Sequence, residues 1–340
     1  MVNGRVILVT GGTGSFGKKF IKMTLTHFRP RKIIVFSRDE MKQWDMRTEF
    51  ESLDKRGTLR YFIGDVRDLA RLELAFSGVD YVVHAAATKI VPTAEYNPFE
   101  AVKTNILGAM NIITAAIAQK VKRVVALSTD KACNPINLYG ATKLCADKLF
   151  IAGNAYTSKN DVRFAIVRYG NVMGSRGSMI PFFIEMAKKG EIPITDVRMT
   201  RFMITLKQAV GLVWESMTDC VGGEIYVPKI PSVKVVDVAK AVSSSAKLKV
   251  IGIRPGEKLH ELLIGEDDSR CTYEYGNHYK ILPMIYDWHE SVKRIGKGKK
   301  CQDGFVYASN TNVSWIKAEQ LKKWFAHERS ENNSLRSSLD

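Results

Sequence analysis

The sequence predicts an α/β fold, a doubly wound parallel sheet with a smaller domain of irregular segments attached to it. Three observations carry this. Short β-branched runs alternate with longer helical stretches through residue 169. A glycine-rich loop falls between the first such run and the first helical stretch. Beyond residue 169 the alternation gives way to segments rich in glycine and proline, at 170–177, 191–195, 227–232 and 254–256.

Taken in order, 5–10 is an apolar strand and 17–28 an amphipathic helix; strands follow at 32–36, 59–63, 81–85, 123–128 and 163–169, with helical stretches between them. Parallel strands need crossover connections, so this alternation implies a parallel sheet covered on both faces. The stretch 207–217 followed by 224–227 reads as one more helix and strand returning to the sheet. The expected domains are therefore 1–170 with 205–228, and 171–204 with 229–327; the polar segment 328–340 reads as a disordered tail.

Composition excludes several classes. With 340 residues, 45% of them hydrophobic and 25% charged, the chain can bury a core without disulfides or structural metal. The five cysteines are scattered, with no Cys-x-x-Cys pair, which argues against a disulfide framework or a zinc site. The first apolar run leads straight into glycines rather than a signal-peptide pattern, and no run of about 18 consecutive apolar residues occurs. A cytoplasmic protein that does not insert into membranes is expected. The net charge of +16 is spread along the chain, the nearest approach to a basic run being 293–300. That distribution fits phosphate-bearing small molecules better than nucleic acid.

The loop Thr10-Gly11-Gly12-Thr13-Gly14-Ser15-Phe16-Gly17 has the dinucleotide spacing at Gly12, Gly14 and Gly17. Such glycines allow a tight turn, close approach to a pyrophosphate and close helix–strand packing. At the end of the second strand stands Ser37-Arg38-Asp39-Glu40-Met41-Lys42. Ser37, Arg38 and Lys42 can hold a 2′-phosphate, which points to NADP, although Asp39 is the residue type that NAD-binding chains place on the ribose. Asp65 and Val66 after the third strand, and Ala85 after the fourth, fit the same cofactor site.

The segment 128–143 follows the fifth strand at the carboxyl end of the sheet, where open α/β sheets bind ligands. Tyr139 and Lys143 lie four apart and share a helix face. An ammonium there favours the phenolate of a proton-accepting tyrosine, lowering its pKa.

With Thr129 before them, these residues resemble the extended short-chain dehydrogenase/reductase family, over about the first 230 residues. The resemblance implies a Rossmann domain with a nucleotide-sugar domain behind it. It also implies that Thr129 bonds the reacting oxygen, that Tyr139 is the oxidation base, and that Lys143 holds Tyr139 and the nicotinamide ribose. Thr104 and Lys89 join the cofactor set on the same ground. Asp130-Lys131 narrows it, because the pair resembles that of the inverting UDP-N-acetylglucosamine 4,6-dehydratases, which open pseudaminic acid synthesis. Segments 37–43, 94–98, 168–177, 198–205, 228–232 and 251–261 are similar to the same group, so the resemblance reaches about residue 265.

That resemblance implies oxidation at C4, loss of water across C5 and C6, and inversion at C5. Lys131 would take the C5 proton and Asp130 would protonate the leaving hydroxyl; a lysine acts as base only if burial or a nearby cation such as Lys89 lowers its pKa. Lys89, Asn171, Arg254 and Glu257 would bind the UDP-sugar, with Arg176 and Arg201 as further phosphate candidates. A homo-oligomer is implied as well. Cys133, beside the acid–base pair, stands where a small apolar residue is expected, and 267–280 has no clear counterpart. The other readings are a UDP-sugar 4-epimerase, which needs no acid at C6, and a non-catalytic NADP-sensing regulator, which needs no proton-transfer groups.

Overall fold

The computed structural model describes residues 2–157, 162–175, 177–285 and 290–325. The proposed tail at 328–340 and Arg176 lie outside the described residues. The chain divides into two compact units.

The larger unit comprises Met1–Tyr169, Leu206–Lys229 and Leu263–Val306. Its first half runs β1 (Val6–Thr10), α1 (Ser15–His27), β2 (Lys32–Ser37), α2 (Glu40–Phe50), β3 (Leu59–Ile63), α3 (Leu69–Phe76) and β4 (Tyr81–His84). Then come α4 (Val91–Tyr96), α5 (Pro98–Val102), a π-helical turn at Lys103–Leu107, α6 (Gly108–Ala118), β5 (Arg123–Thr129), α7 (Leu138–Gly153) and β6 (Arg163–Tyr169). The strands pair in parallel in the order β3-β2-β1-β4-β5-β6. The order reverses between β1 and β4, and the crevice beyond their carboxyl ends is where such sheets bind ligands.

The strands are apolar almost throughout because both faces are covered: Ile7, Leu8 and Val9 of β1 and Val82 and Val83 of β4 are fully buried. On one face α6 packs against α3 and α7. The continuous helix Pro98–Ala118, of mean hydropathy 1.3, is long and apolar enough to cross a membrane. Half of it is buried inside the unit, and Ala109, Ile112, Ala115 and Ala116 are fully buried, which is how a core helix reaches that hydropathy.

The smaller unit comprises Gly170–Thr205, Ile230–Leu262 and Tyr307–Asp340. It holds β7 (Asn171–Val172), α8 (Met179–Lys188), β8 (Glu191–Ile194) and β9 (Thr200–Ile204). After α9 (Leu206–Asp219) and β10 (Ile225–Pro228) return to the larger unit, it continues with β11 (Ser232–Lys234), α10 (Val235–Val242) and β12 (Lys247–Val250). β11, β9 and β7 form one small sheet, and β12 and β8 another. A separate apolar core gathers Ile180, Phe183, Ile192, Val233 and Val238.

One boundary differs from expectation. Residues 263–306 were expected in the smaller domain, but Leu263–Val306 belongs to the larger unit. After β13 (Leu262–Ile264), β14 (Thr272–Glu274) and β15 (His278–Ile281) form a hairpin, and β15 lies antiparallel to β10. With β16 (Lys299–Lys300) they bring the sheet to ten strands. Strands of three or four residues have too little periodicity to show in sequence.

Candidate active site

The glycine loop closes on itself at the head of α1. The Gly14 amide donates to the Gly11 carbonyl at 2.9 Å, and Gly14 occupies the N-cap, where it has no side chain to bond the amides of the first turn. A Cβ at Gly17 would stand 2.4 Å from the Gly12 carbonyl oxygen, so only glycine lets the helix start against the loop. An uncovered helix start of this kind fits a pyrophosphate. Thr13 is buried, while Ser15 and Phe16 open the helix, with Phe16 stacked on Phe20.

Thr10 fastens the loop to β4. Its hydroxyl is 2.8 Å from His84 Nδ1 and accepts from the amides of Ala85 and Ala86. Burial and the nearby Lys143 ammonium push the His84 pKa down to about 3, so its imidazole is neutral.

The end of β2 is organised by a residue that the sequence reading did not single out. Gln43 donates to the Ser37 carbonyl, the Ser37 hydroxyl and the Phe62 carbonyl, joining β2 to β3. Asp39 caps α2: its carboxylate accepts from the Lys42 amide and pairs with the Lys42 ammonium at 2.5 Å, which lowers its pKa. Glu40 and Met41 open α2, Met41 largely exposed. Arg38 stands 3.5 Å from Asp65. Asp65 accepts from the Arg67 amide and guanidinium. Val66 is buried, its carbonyl accepting from Asn111.

Thr104 is buried in the π-helical turn, but its neighbour Asn105 makes the bonds there. The Asn105 amide donates to the Thr88 carbonyl and the Thr142 hydroxyl, and its oxygen accepts from the Thr88 amide. The loop bearing Lys89 is thereby clamped to α7; desolvation lowers the pKa of the Lys89 ammonium. No motif marks Asn105, because its role depends on a helix distortion that brings three elements together.

At the end of β5 the predicted constellation assembles within one unit. Asp130–Ala132 forms a single tight turn. Asp130, 1% exposed at its side chain, accepts from the Thr129 hydroxyl at 2.9 Å and pairs with the Lys131 ammonium at 3.0 Å. Tyr139, also buried, lies near the Thr129 hydroxyl. Lys143 lies one turn further along α7.

The expected lowering of the tyrosine pKa is not what the structure gives. Burial pushes the Tyr139 phenol up to about 12; the cation that opposes this is Lys131, helped by the nearby Thr129 hydroxyl, and Asp130 and Asp147 add to the rise. Desolvation outweighs the attraction because the phenolate would be wholly buried among two carboxylates. The Lys131 ammonium is paired with the Asp130 carboxylate.

The substrate candidates Asn171, Arg254 and Glu257 lie in the smaller unit. Arg254 and Glu257 are ion-paired with each other, and the Asn171 side-chain oxygen is buried without a hydrogen-bond partner. Arg201, in contrast, is committed to the carbonyls of Thr200, Lys258 and Leu259, which places it in the packing of that unit.

Comparison with known proteins agrees with this architecture. A UDP-N-acetylglucosamine 4,6-dehydratase (inverting) of Campylobacter jejuni is 52% identical over 94% of this chain and 97% of its own length. A UDP-glucose 4-epimerase of Rickettsia akari is 43% identical over 94% of each chain. Among solved structures, Pen from Bacillus thuringiensis superposes with a TM-score of 0.86 at 38% identity, covering 96% of this chain and 99% of that one. A dTDP-glucose 4,6-dehydratase from Streptomyces venezuelae, bound to NAD, shares the fold at a TM-score of 0.66 and 22% identity, over 75% of this chain and 86% of that one. The polysaccharide biosynthesis protein family matches residues 7–283, and the chain belongs to that family.

Proposed function

We propose that this chain is a lyase converting UDP-N-acetylglucosamine to UDP-2-acetamido-2,6-dideoxy-β-L-arabino-hex-4-ulose and water, with inversion at C5. The observation that carries this reading is the ion pair of the buried Asp130 with the half-buried Lys131, beside Tyr139. The 52% identity to an inverting dehydratase over nearly the full length of both chains supports it.

A nicotinamide dinucleotide, held by Gly11 to Gly17, Ser37, Arg38 and Lys42, supplies a two-electron acceptor and donor. NADP is the expected form, because Asp39, the carboxylate that would serve the ribose hydroxyls of NAD, is spent on the cap of α2 and on Lys42. Tyr139 takes the proton of the C4 hydroxyl, with the Thr129 hydroxyl close by. While Asp130 and Lys131 remain an ion pair, the ammonium of Lys131 favours the phenolate.

Elimination needs a base at C5 and an acid at the C6 oxygen. Moving one proton from Lys131 to Asp130 across their 3.0 Å contact turns the ion pair into an amine and a carboxylic acid. The burial of Asp130 favours that neutral form, since it discharges a carboxylate withdrawn from water. Lys131 then accepts the C5 proton, Asp130 gives its proton to the C6 oxygen, and water leaves. The hydride removed from C4 returns to C6, completing the methyl group, and a proton added to C5 from the opposite face gives the inversion. The product is an intermediate of the kind consumed in pseudaminic acid synthesis.

Incubation with UDP-N-acetylglucosamine in D₂O, without added reductant and followed by proton NMR, tests the reading. A new 6-methyl signal with deuterium at C5 and the L-arabino configuration is expected. Retention at C5 overturns the assignment of Lys131, and a 4-epimer without a methyl signal establishes epimerisation instead.

A further inference from the structure

Along α7, continuing the line of Tyr139, lie buried charges that the proposed chemistry does not use. Tyr139, Lys143 and Asp147 are spaced four apart and so form one stripe along the helix. All three are buried, with Lys143 at 4% and Asp147 at 1% exposure. Asp147 accepts from the Ser128 hydroxyl at 2.7 Å, one residue before Thr129. Arg168, opposite Ser128 in the β5–β6 register, approaches Asp147 at 3.4 Å and Asp268 at 3.3 Å, and donates to the Leu263 carbonyl.

An ammonium this deeply buried sheds its proton unless a carboxylate stands near it. The surroundings of Lys143 offer few. From β4 comes His84, which is neutral and which Lys143 itself helps to discharge. Within the catalytic turn, Asp130 is paired with Lys131. Arg168 and Tyr169 on β6 bring no negative charge at neutral pH; burial and the neighbouring Tyr139 push the Tyr169 phenol far up. Glu95 on α4 is taken up by the Leu138 amide at the start of α7, and Glu100 on α5 is exposed and paired with Arg67 and Lys103. Asp147 remains, and it acts on Lys143 from the next turn of the same helix.

We propose that Asp147 is the counter-charge that keeps the buried Lys143 ammonium protonated, and that Arg168 and Ser128 hold Asp147 in place for it. The proposal rests on the reading of Tyr139 and Lys143 as the proton-transfer pair. Burial alone pulls both groups toward their neutral forms, raising the Asp147 carboxyl and lowering Lys143, and each opposes the shift of the other. Arg168, which keeps its charge at any working pH, biases Asp147 toward the carboxylate. Asp147 is thus a positioning residue, acting on the reaction through Lys143.

The test is turnover of UDP-N-acetylglucosamine by the full chain as a function of pH. Without the carboxylate, Lys143 loses its proton at lower pH, so the alkaline side of the profile collapses earlier. For Asp147→Asn the ratio of kcat at pH ~9 to that at pH ~7 is expected to fall by about fivefold or more relative to wild type, with KM little changed. Asp147→Glu restores the ratio. Asp268→Asn also strips Arg168 of a partner but leaves Lys143 alone, so it lowers the melting temperature without moving the profile. If Asp147→Asn does not fold, the double variant Asp147→Asn/Arg168→Met removes the carboxylate without stranding the guanidinium and shows the same shift. An unmoved profile without the Asp147 carboxylate, or an equal shift in Asp268→Asn, overturns the proposal. Tyr139→Phe separates the two levels: if it still turns over, the underlying site reading fails, whereas an inactive Tyr139→Phe with an unmoved Asp147→Asn profile sinks this inference alone.

Discussion

Substitution of Gly140 by alanine tests whether the acid–base turn must sit where α7 places it. The first turn of α7 passes so close to Asp130–Ala132 that a Cβ on residue 140 would lie 2.2 Å from the Lys131 carbonyl oxygen and 3.0 Å from Pro135 Cβ. An ordinary carbon–oxygen contact is about 3.3 Å, so the two segments must separate by ~1 Å. The obstacles are the Lys131 main chain and the Pro135 ring, neither of which can swing away as a long side chain does. Overpacking of this size costs about 1–3 kcal/mol, and a chain of this length should lose only a few degrees of melting temperature. Catalysis is far less tolerant: a misplacement of ~1 Å between Asp130–Lys131 and Tyr139 should lower kcat by about 100-fold. Formation of the 6-methyl product by NMR gives kcat, and differential scanning fluorimetry reports the fold. Gly211→Ala on α9 is the matched control, since a Cβ there meets nothing within 4 Å. Gly140→Ala turning over within about threefold of wild type would refute the argument that this close contact sets the catalytic geometry.

Gly17→Ala should abolish retention of the nicotinamide cofactor, because its Cβ would strike the Gly12 carbonyl at 2.4 Å; absorbance of the purified protein and titration with NADP read this out, and undiminished binding would contradict it. Arg38→Ala should weaken NADP by about tenfold or more while leaving NAD little changed, as measured by fluorescence titration; equal losses for both would remove Arg38 from 2′-phosphate recognition. The buried neutral His84 should make folding acid-sensitive. Its pKa is about 3 in the folded chain against an ordinary 6.5 when unfolded, so between these values only the unfolded state gains the proton. Stability then falls as pH drops from 6.5 toward 3, by up to ~1.4 kcal/mol per pH unit. His84→Gln should flatten that part of the melting profile, and identical slopes for the two proteins would exclude the linkage.

Much of the site was legible because its chemistry is local in sequence. The glycine spacing encodes a turn that needs no distant partner, and Tyr139 and Lys143 declare a shared face through their four-residue interval. Asp130 and Lys131 are adjacent, so their pairing could be anticipated, though not its burial. Gln43, Asn105 and Arg168 escaped notice for the opposite reason: each is an unremarkable polar residue whose partners lie on other elements. Asp147 also went unmarked, although its position eight residues after Tyr139 on the same helix was a signal that could have been read.

The sequence by itself determined the parallel sheet, the spacing of the glycine loop and the shared helix face of Tyr139 and Lys143, because apolar periodicity, glycine spacing and helical intervals are properties of neighbouring residues. Only the tertiary structure decided that Leu263–Val306 completes the larger sheet and that Tyr139 is raised rather than lowered in pKa. It alone showed that Lys143 shares its burial with an Asp147–Arg168 pair. Those outcomes depend on desolvation and on charges brought together from distant strands and helices, and both are set by packing that no local pattern records.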